Sequence, residues 1–253
     1  MIRVVATTAT DARQALLRRL IDHAALFPPA SMAMADALEE DARIRASAEA
    51  WIVNRFVVPA SRVGELGDVP LRLSVVLDSR LPDDERIEAV DVPPGVDPGS
   101  FVGVAPEVYV EVPFDGDQPG ALERLAELGL RAKLRCGGPA VPGVGQLADA
   151  IRRCRELGLP FKATAGLHHA VRHEGEHGFL GLLAAALFAD EVGALAEEDP
   201  REFVISREAV GFRGRWAGPE EVARVRRELF VSFGSCSVAE PVEDLRALGL
   251  LPA

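Results

Sequence analysis

Two lysines, Lys133 and Lys162, are the residues of this chain whose type points most clearly to chemistry. The other 26 of its 28 basic residues are arginine, so the composition supplies positive charge as arginine nearly everywhere. A lysine amine can lose its proton and attack a carbonyl carbon, whereas a guanidinium stays charged. We therefore expect both lysines to have a chemical role that arginine cannot fill.

The two lysines occupy equivalent positions of an internal repeat. Residues 127–137 and 156–166 both fit the pattern E-L-G-L-x-x-K-x-x-x-G, with an offset of 29 residues. An offset of this length accommodates one helix and one strand, the unit of βα architectures. The pattern predicts that each copy ends a helix at Gly129 or Gly158, where a left-handed conformation is favourable, and then enters a strand that carries the lysine.

The rest of the chain shows the same alternation of helices and strands. Eight strands are predicted, and about 250 residues is the usual size of a (β/α)8 TIM barrel. We therefore predict an α/β fold in which residues 1–253 form a single TIM-barrel domain. Irregular units are expected at 80–106, where proline and glycine leave little room for helices, and at 199–218, where Phe203–Ser206 could itself be a strand. The predicted barrel strands are His23–Phe27, Arg55–Pro59, Leu71–Asp78, Ile87–Val92, Val108–Val112, Leu130–Arg135, Phe161–Ala165 and Phe230–Gly234.

Strand alternation predicts which side chains face the barrel axis. In the lysine strands Ala132, Leu134, Phe161 and Ala163 form apolar faces that should pack against outer helices. Charges inside a barrel are costly unless they pair or contact a ligand, so a charged interior near the C-terminal strand ends indicates a catalytic site. A buried ion-pair network that closes the barrel is the alternative. The residues predicted to face the axis are Tyr109, Glu111, Lys133, Arg135, Lys162 and Thr164.

Several segments, in the same order along the chain, resemble motifs of deoxyribose-phosphate aldolases. Residues 20–31, beginning Leu-Ile-Asp-His, are similar to the family's opening L-I-D-H-T-x-L-x-P-x-A-T. Residues 56–63 resemble its second strand. Residues 162–166, Lys-Ala-Thr-Ala-Gly, resemble K-T-S-T-G, whose lysine forms the Schiff base with the substrate. Residues 233–237, Phe-Gly-Ser-Cys-Ser, resemble the closing G-T-S-S loop, which helps to hold the substrate phosphate.

The resemblance implies a class I aldolase-like enzyme, a carbon–carbon lyase in which Lys162 forms a Schiff base with a small anionic aldehyde or ketone. The family's second lysine, in a K-A-x-G-G segment after the Schiff-base strand, has no counterpart, because no lysine follows Lys162. The proton relay would have to be rebuilt from a different strand. We expect Lys133 and Arg135, on the preceding strand, to lie beside Lys162, where their positive charges favour a neutral, nucleophilic amine. The resemblance therefore implies a reaction type more than a substrate.

Other polar residues near the predicted strand ends complete this hypothesis. We expect Glu111, Tyr109 or one of His168 and His169 to move the proton beside the iminium. Arg135, with nearby backbone amides, is expected to hold the substrate's anionic group. No cofactor is predicted. The candidate substrate contacts are Arg135, Tyr109, His23, Thr164, Gly137, Gly138, Gly234 and Ser235.

The histidines supply a competing hypothesis. Four of the five lie close together, at His168, His169, His173 and His177. If this segment is helical, the last three share a face at a spacing that binds Zn²⁺ or another divalent ion, and His23 could join them across the barrel mouth. A metal-dependent hydrolase or lyase, with bound water as the nucleophile, would follow. A polar loop whose histidines orient substrate or act as acids and bases stays open as well.

Composition limits the class of partner. A net charge of −11 repels phosphate backbones, so no nucleic acid is expected. No apolar stretch reaches the roughly 18 residues that span a bilayer, and no secretory signal is recognised, so we expect a cytoplasmic protein without a membrane partner. The three cysteines lack a CxxC motif, which disfavours a disulfide framework or structural zinc. A non-catalytic barrel used for binding is a second alternative, and a homo-oligomer is compatible with the sequence.

Overall fold

The computed structural model describes residues 10–138 and 141–251. Residues 1–9, 139–140 and 252–253 lie outside the described residues. Both ends of the predicted domain fall among them, and so does the N-terminal segment on which the expected lack of a secretory signal depends. Eleven strands are formed within the described part of the chain. They are β1 (Ile21–His23), β2 (Val53–Pro59), β3 (Leu73–Val76), β4 (Ile87–Val92), β5 (Glu107–Glu111), β6 (Arg131–Arg135), β7 (Phe161–Thr164), β8 (Phe203–Ile205), β9 (Val210–Phe212), β10 (Arg215–Ala217) and β11 (Phe230–Ser235).

Eight of these strands close into a parallel barrel, which confirms the predicted (β/α)8 TIM-barrel fold. The order around the barrel is β1, β2, β3, β4, β5, β6, β7 and β11, and β11 pairs with β1 to complete the ring. The first strand covers residues 21–23 rather than the predicted 23–27. The chain turns directly after it, since the amide of Phe27 donates to the carbonyl of Ala24 at 2.9 Å.

Helices surround most, but not all, of the barrel. Only short 3-10 turns follow β2 and β4 among the described residues, and none of the α-helices lies between residues 46 and 117. This agrees with the irregular unit predicted at 80–106, where prolines interrupt any helical run. The helices are α1 (Ala12–Leu17), α2 (Met34–Arg45), α3 (Gln118–Glu127), α4 (Val144–Leu157), α5 (Phe179–Phe188), α6 (Glu191–Leu195), α7 (Pro219–Glu228) and α8 (Ala239–Ala247).

The predicted excursion near 199–218 is a small antiparallel sheet outside the barrel. Its strands are ordered β10, β9, β8. The strand predicted at Phe203–Ser206 therefore exists as β8 but does not belong to the barrel, so the count of eight barrel strands stands. Phe203 and Phe212 of this sheet contact each other with ring centroids 5.0 Å apart, and Phe212 lies 6.3 Å from Phe188 of α5.

The apolar core lies between the barrel wall and the helices. Ala132, Leu134 and Ala163, on the outer faces of β6 and β7, are fully buried, as strand alternation predicts. All ten residues of α5 are buried, because the helix lies between the barrel and the outer elements α6 and β10. Across the described residues, no helix has the length and apolar character to cross a membrane. The barrel interior, in contrast, carries polar and charged side chains.

Candidate functional site

Lys133 and Lys162 both face the barrel axis, as the alternation predicts. The two lysines are direct neighbours in the register between β6 and β7, and they are 6% and 1% exposed. The internal repeat thus places equivalent residues side by side. Its helix ends also follow the prediction, because Gly129 and Gly158 adopt left-handed φ angles of 66° and 60°.

The closing glycines of the two repeat copies bring the loops after β6 and β7 together. A Cβ atom on Gly137 would lie 2.6 Å from the Cα atom of Gly166, closer than any side chain tolerates. Gly166 also has a φ of +67°, a conformation that favours glycine. The repeat therefore requires glycine here, because the two backbones touch at the rim of the site.

Lys162 is held by carboxylates, although Lys133 lies beside it on the neighbouring strand. Its Nζ lies 2.5 Å from Oδ1 of Asp91 and 3.7 Å from Oδ2 of Asp22. Nζ also donates to Oγ of Ser74 at 3.1 Å and lies 4.9 Å from the ring centroid of Tyr109. The amine of Lys162 is therefore in direct contact with a proton acceptor, the carboxylate of Asp91.

Lys133 belongs to a second ion-pair cluster nearer the mouth. Its Nζ lies 3.0 Å from Oε2 of Glu111 and 3.9 Å from Oδ2 of Asp91. Nε of Arg135 donates to the same Glu111 at 3.0 Å. Burial favours the neutral carboxyl of Glu111, but the charge of Lys133 and the Arg135 hydrogen bond outweigh it, so the pKa of Glu111 lies below its usual value.

Asp91 connects the two lysines and was missed by the sequence reasoning. One of its oxygens contacts Lys162 and the other faces Lys133, and its side chain is 3% exposed. Asp22, which the sequence suggested only as a possible metal ligand, is fixed by Asn54 at 2.7 Å and Ser232 at 2.9 Å. Alternation was a usable signal for Asp91, which lies inside the predicted strand 87–92, but not for Asp22, which precedes the predicted first strand.

Tyr109 lies beneath the lysines rather than at the mouth. It is fully buried, and its hydroxyl donates to Oε2 of Glu107 at 2.8 Å. Burial raises the pKa of Tyr109, which keeps the phenol protonated as a donor. In this arrangement its ring supports the Lys162 ammonium group.

A cavity of about 710 Å³ opens at the C-terminal ends of the strands. Both lysines line it, together with Asp22 and Asp91. Of the other predicted site residues, Arg135, Gly138, Thr164, His168, Gly234 and Ser235 line the cavity, whereas Tyr109, Glu111, Gly137, His23 and His169 are not among its lining residues. The remaining wall is largely formed by small and apolar residues, including Phe27, Val57, Val76, Ala165 and Leu167.

His23 lies behind the barrel wall, contrary to its expected place at the mouth. It is fully buried, and its Nδ1 lies 3.0 Å from Oδ1 of Asp41 on α2. Because β1 spans residues 21–23, Asp22 faces the axis and His23 faces outward. Arg45 lies 2.6 Å from the other oxygen of Asp41, so His23 joins a buried polar cluster that fastens α2 to the barrel.

The histidine-rich segment is a loop, so its histidines share no helix face. His168 Nδ1 lies 2.7 Å from Glu240 and His169 Nδ1 lies 3.5 Å from Asp244, both on α8. His177 is buried, and its Nε2 lies 2.8 Å from the carbonyl oxygen of Pro142. In the described part of the chain, no group of three or more His, Cys, Asp or Glu residues could hold a metal ion. The ligand arrangement expected for the metal hypothesis is therefore not formed by these residues.

The fold and the site together define the chain as a TIM barrel with a charged interior and a cavity at its C-terminal face. Enzymes of this architecture keep their catalytic residues at that face. No protein-family model matches the chain, and the curated proteins include no significantly similar sequence.

Proposed function

We propose that this protein is a class I aldolase-type lyase, in which Lys162 forms a Schiff base with a small anionic aldehyde or ketone. The observation that carries the proposal is the position of Lys162. Its amine lies at the buried end of an open cavity, in contact with Asp91 and next to a strand that carries Lys133. A nucleophilic amine needs a proton acceptor and a desolvated pocket, and this arrangement supplies both.

The first step is the addition of the amine to the carbonyl carbon. Asp91 accepts a proton from Lys162, and the freed amine attacks the carbonyl to give a carbinolamine. The same proton then leaves with the carbinolamine hydroxyl as water, which yields the iminium. Asp22, held by Asn54 and Ser232, supplies a fixed negative charge that stabilises the cationic iminium.

The iminium then acts as an electron sink for the carbon–carbon bond. A base removes the proton of a hydroxyl on the β-carbon, the bond between the α- and β-carbons breaks, and an aldehyde leaves. The electron pair passes to nitrogen as an enamine, which regains a proton at the α-carbon before water releases the product. Lys133 and His168 both line the cavity and are the candidate proton carriers, with Glu111 acting through Lys133.

The mouth of the cavity favours an anionic substrate. Arg135 is 44% exposed at its side chain and lines the cavity, where it offers a guanidinium fork to a carboxylate or phosphate. Gly138 and Gly234 also line the cavity. An anion here would compete with Glu111 for Arg135, so its binding would rearrange the ion pairs among Lys133, Glu111 and Arg135.

Reductive trapping tests the proposal. The protein is incubated with a panel of small aldehydes and ketones, anionic and neutral, and with borohydride, and its intact mass is measured. The chain has two lysines and both are buried, so surface lysines contribute no background. A stable adduct in the wild type that is absent from Lys162→Arg supports the proposal. If no carbonyl compound yields an adduct, or if Lys162→Arg is labelled equally, the proposal is wrong and a binding role for the barrel becomes the better explanation.

A further inference from the structure

A second cavity, of about 600 Å³, lies at the opposite end of the barrel. Residues near the N-terminal ends of several strands line it, including Asn54 of β2, Glu107 of β5 and Val231 of β11. It is therefore separated from the candidate active site by the buried layer that contains Tyr109. We call it the lower cavity. The arginines that line it are Arg18, Arg19, Arg55, Arg131, Arg226 and Arg227.

The charge of the lower cavity is opposite to that of the whole chain. Among residues 10–138 and 141–251, six arginines line it, against two carboxylates, Asp11 and Glu107. The formal net charge of the protein is −11, so positive charge is concentrated locally here. A concave surface lined by one sign of charge raises the local concentration of ions of the opposite sign.

Two carboxylates near these arginines are already shared among several of them. Glu88 contacts Arg19 at 3.2 Å, Arg55 at 3.1 Å and Arg72 at 2.5 Å. Glu107 contacts Arg55 at 2.9 Å and Arg131 at 3.3 Å. Glu88 and Glu107 thus each serve two or three guanidinium groups, which leaves a surplus of donors around them, whereas Arg227 is paired with Glu228 at 2.6 Å.

One nitrogen of the Arg55 guanidinium group is an example of this surplus of donors. Its side chain is 4% exposed, and Nε and Nη2 contact Glu88 and Glu107. Its Nη1 is buried and has no hydrogen-bond partner among residues 10–138 and 141–251. A buried charged donor without an acceptor is unfavourable, so the described carboxylates do not satisfy every guanidinium donor of this cluster.

One side of the lower cavity is rigid, and exposed arginine side chains at its rim can move. Arg226 is buried and donates to the carbonyl oxygens of Leu16 at 2.8 Å and Phe230 at 2.5 Å, which fixes that side of the cavity. Arg18 is exposed, and the side chain of Arg227 is 67% exposed. These two long side chains can close over a ligand without disturbing the core.

We propose that the lower cavity binds a small multivalent oxyanion, with two or more phosphate groups as the best chemical match. Guanidinium forks bind phosphate oxygens in a bidentate manner, and several forks facing one cavity favour an anion with several such groups. TIM barrels keep catalysis at the other end, so this anion is an effector or a stabilising ligand rather than the substrate. The proposal is independent of the Schiff-base chemistry.

Isothermal titration calorimetry with tripolyphosphate at fixed ionic strength tests this site. Citrate and inorganic phosphate are titrated in parallel, which separates phosphate from carboxylate ligands and multivalent from single groups. The test variant is Arg18→Gln with Arg227→Gln. The control is Arg43→Gln with Arg224→Gln, which removes the same charge from α2 and α7 at positions that do not line the cavity.

We expect saturable binding of one tripolyphosphate per chain to the wild type and to the control. Loss of two charge-assisted hydrogen-bond donors should weaken binding at least about tenfold in the test variant. Inorganic phosphate should bind more weakly than tripolyphosphate. The absence of saturable binding below about 1 mM would overturn the proposal. Equal weakening in the test and control variants would also overturn it, because binding would then follow total charge rather than the cavity.

Discussion

Nζ of Lys162 and Oδ1 of Asp91 lie 2.5 Å apart inside the barrel, and neither side chain is more than 3% exposed. Removing two such charges from water is unfavourable, and the attraction between them only partly offsets it. A buried pair of this kind contributes little to stability compared with well-packed apolar residues. Its presence on the wall of an open cavity is what the proposed chemistry at the amine would require.

The stability of variants at this pair gives a first prediction. Asp91→Asn leaves the Lys162 ammonium group without its closest partner, so we expect the free energy of unfolding to fall by about 3 kcal/mol. The double variant Lys162→Met with Asp91→Leu removes both charges and should recover most of that loss. Urea unfolding measures both values. Equal stability of Asp91→Asn and wild type would mean that the amine is not held by this carboxylate.

A second prediction concerns Arg135 and the charge of the substrate. Arg135→Gln should reduce the trapping efficiency of anionic carbonyl compounds about tenfold, since a charge-assisted hydrogen bond contributes about 1.5 kcal/mol. Trapping of neutral compounds should be unchanged. Arg124→Gln, on the exposed face of α3, serves as the control. An equal effect on both substrate classes would show that Arg135 acts on the structure of the mouth rather than on substrate charge.

The third prediction is a pH dependence that arises from Glu111. Its pKa is lowered in the folded protein by Lys133 and Arg135 against the opposing effect of burial. The resulting stability is fully present above the unfolded value of about 4.3 and is lost as the pH falls through the lower folded value. Glu111→Gln should therefore lose less stability than the wild type between pH 6 and the folded pKa, as measured by urea unfolding at several pH values. Parallel curves for the two proteins would contradict this assignment.

A fourth prediction uses two glycines of the same region. Gly137→Ala places a Cβ atom against the Gly166 backbone, so we expect a loss of about 1–3 kcal/mol in the free energy of unfolding. Gly145→Ala is the control, because Gly145 lies in α4 with nothing within 4 Å of its Cβ position, and alanine should raise stability by up to about 1 kcal/mol. If Gly137→Ala were as stable as this control, the loops after β6 and β7 would not touch as described.

Local sequence patterns were sufficient to predict the fold and the orientation of the two lysines toward the barrel axis. The repeat placed Lys133 and Lys162 on neighbouring strands, and the apolar positions Ala132 and Ala163 set their direction. These are properties of the period of a strand and the length of a βα unit, both of which are readable from sequence.

The partners of the lysines could not be predicted in the same way. Lys162 meets Asp91 across the barrel interior, from a strand that is three positions away in the sheet, and no local pattern encodes that contact. The error at His23 was of another kind. The first strand began two residues earlier than predicted, and a shift in strand limits changed which of its residues faced the axis.

Peptide mapping of the trapped protein identifies which amine forms the Schiff base. After borohydride reduction with a carbonyl compound that labels the wild type, proteolysis and tandem mass spectrometry should locate the adduct on Lys162. Lys133→Met should still be labelled at Lys162, at a lower rate, because the proton carrier is lost and the nucleophile is not. An adduct on Lys133, on the N-terminal amine, or on neither lysine would contradict the proposed role of Lys162.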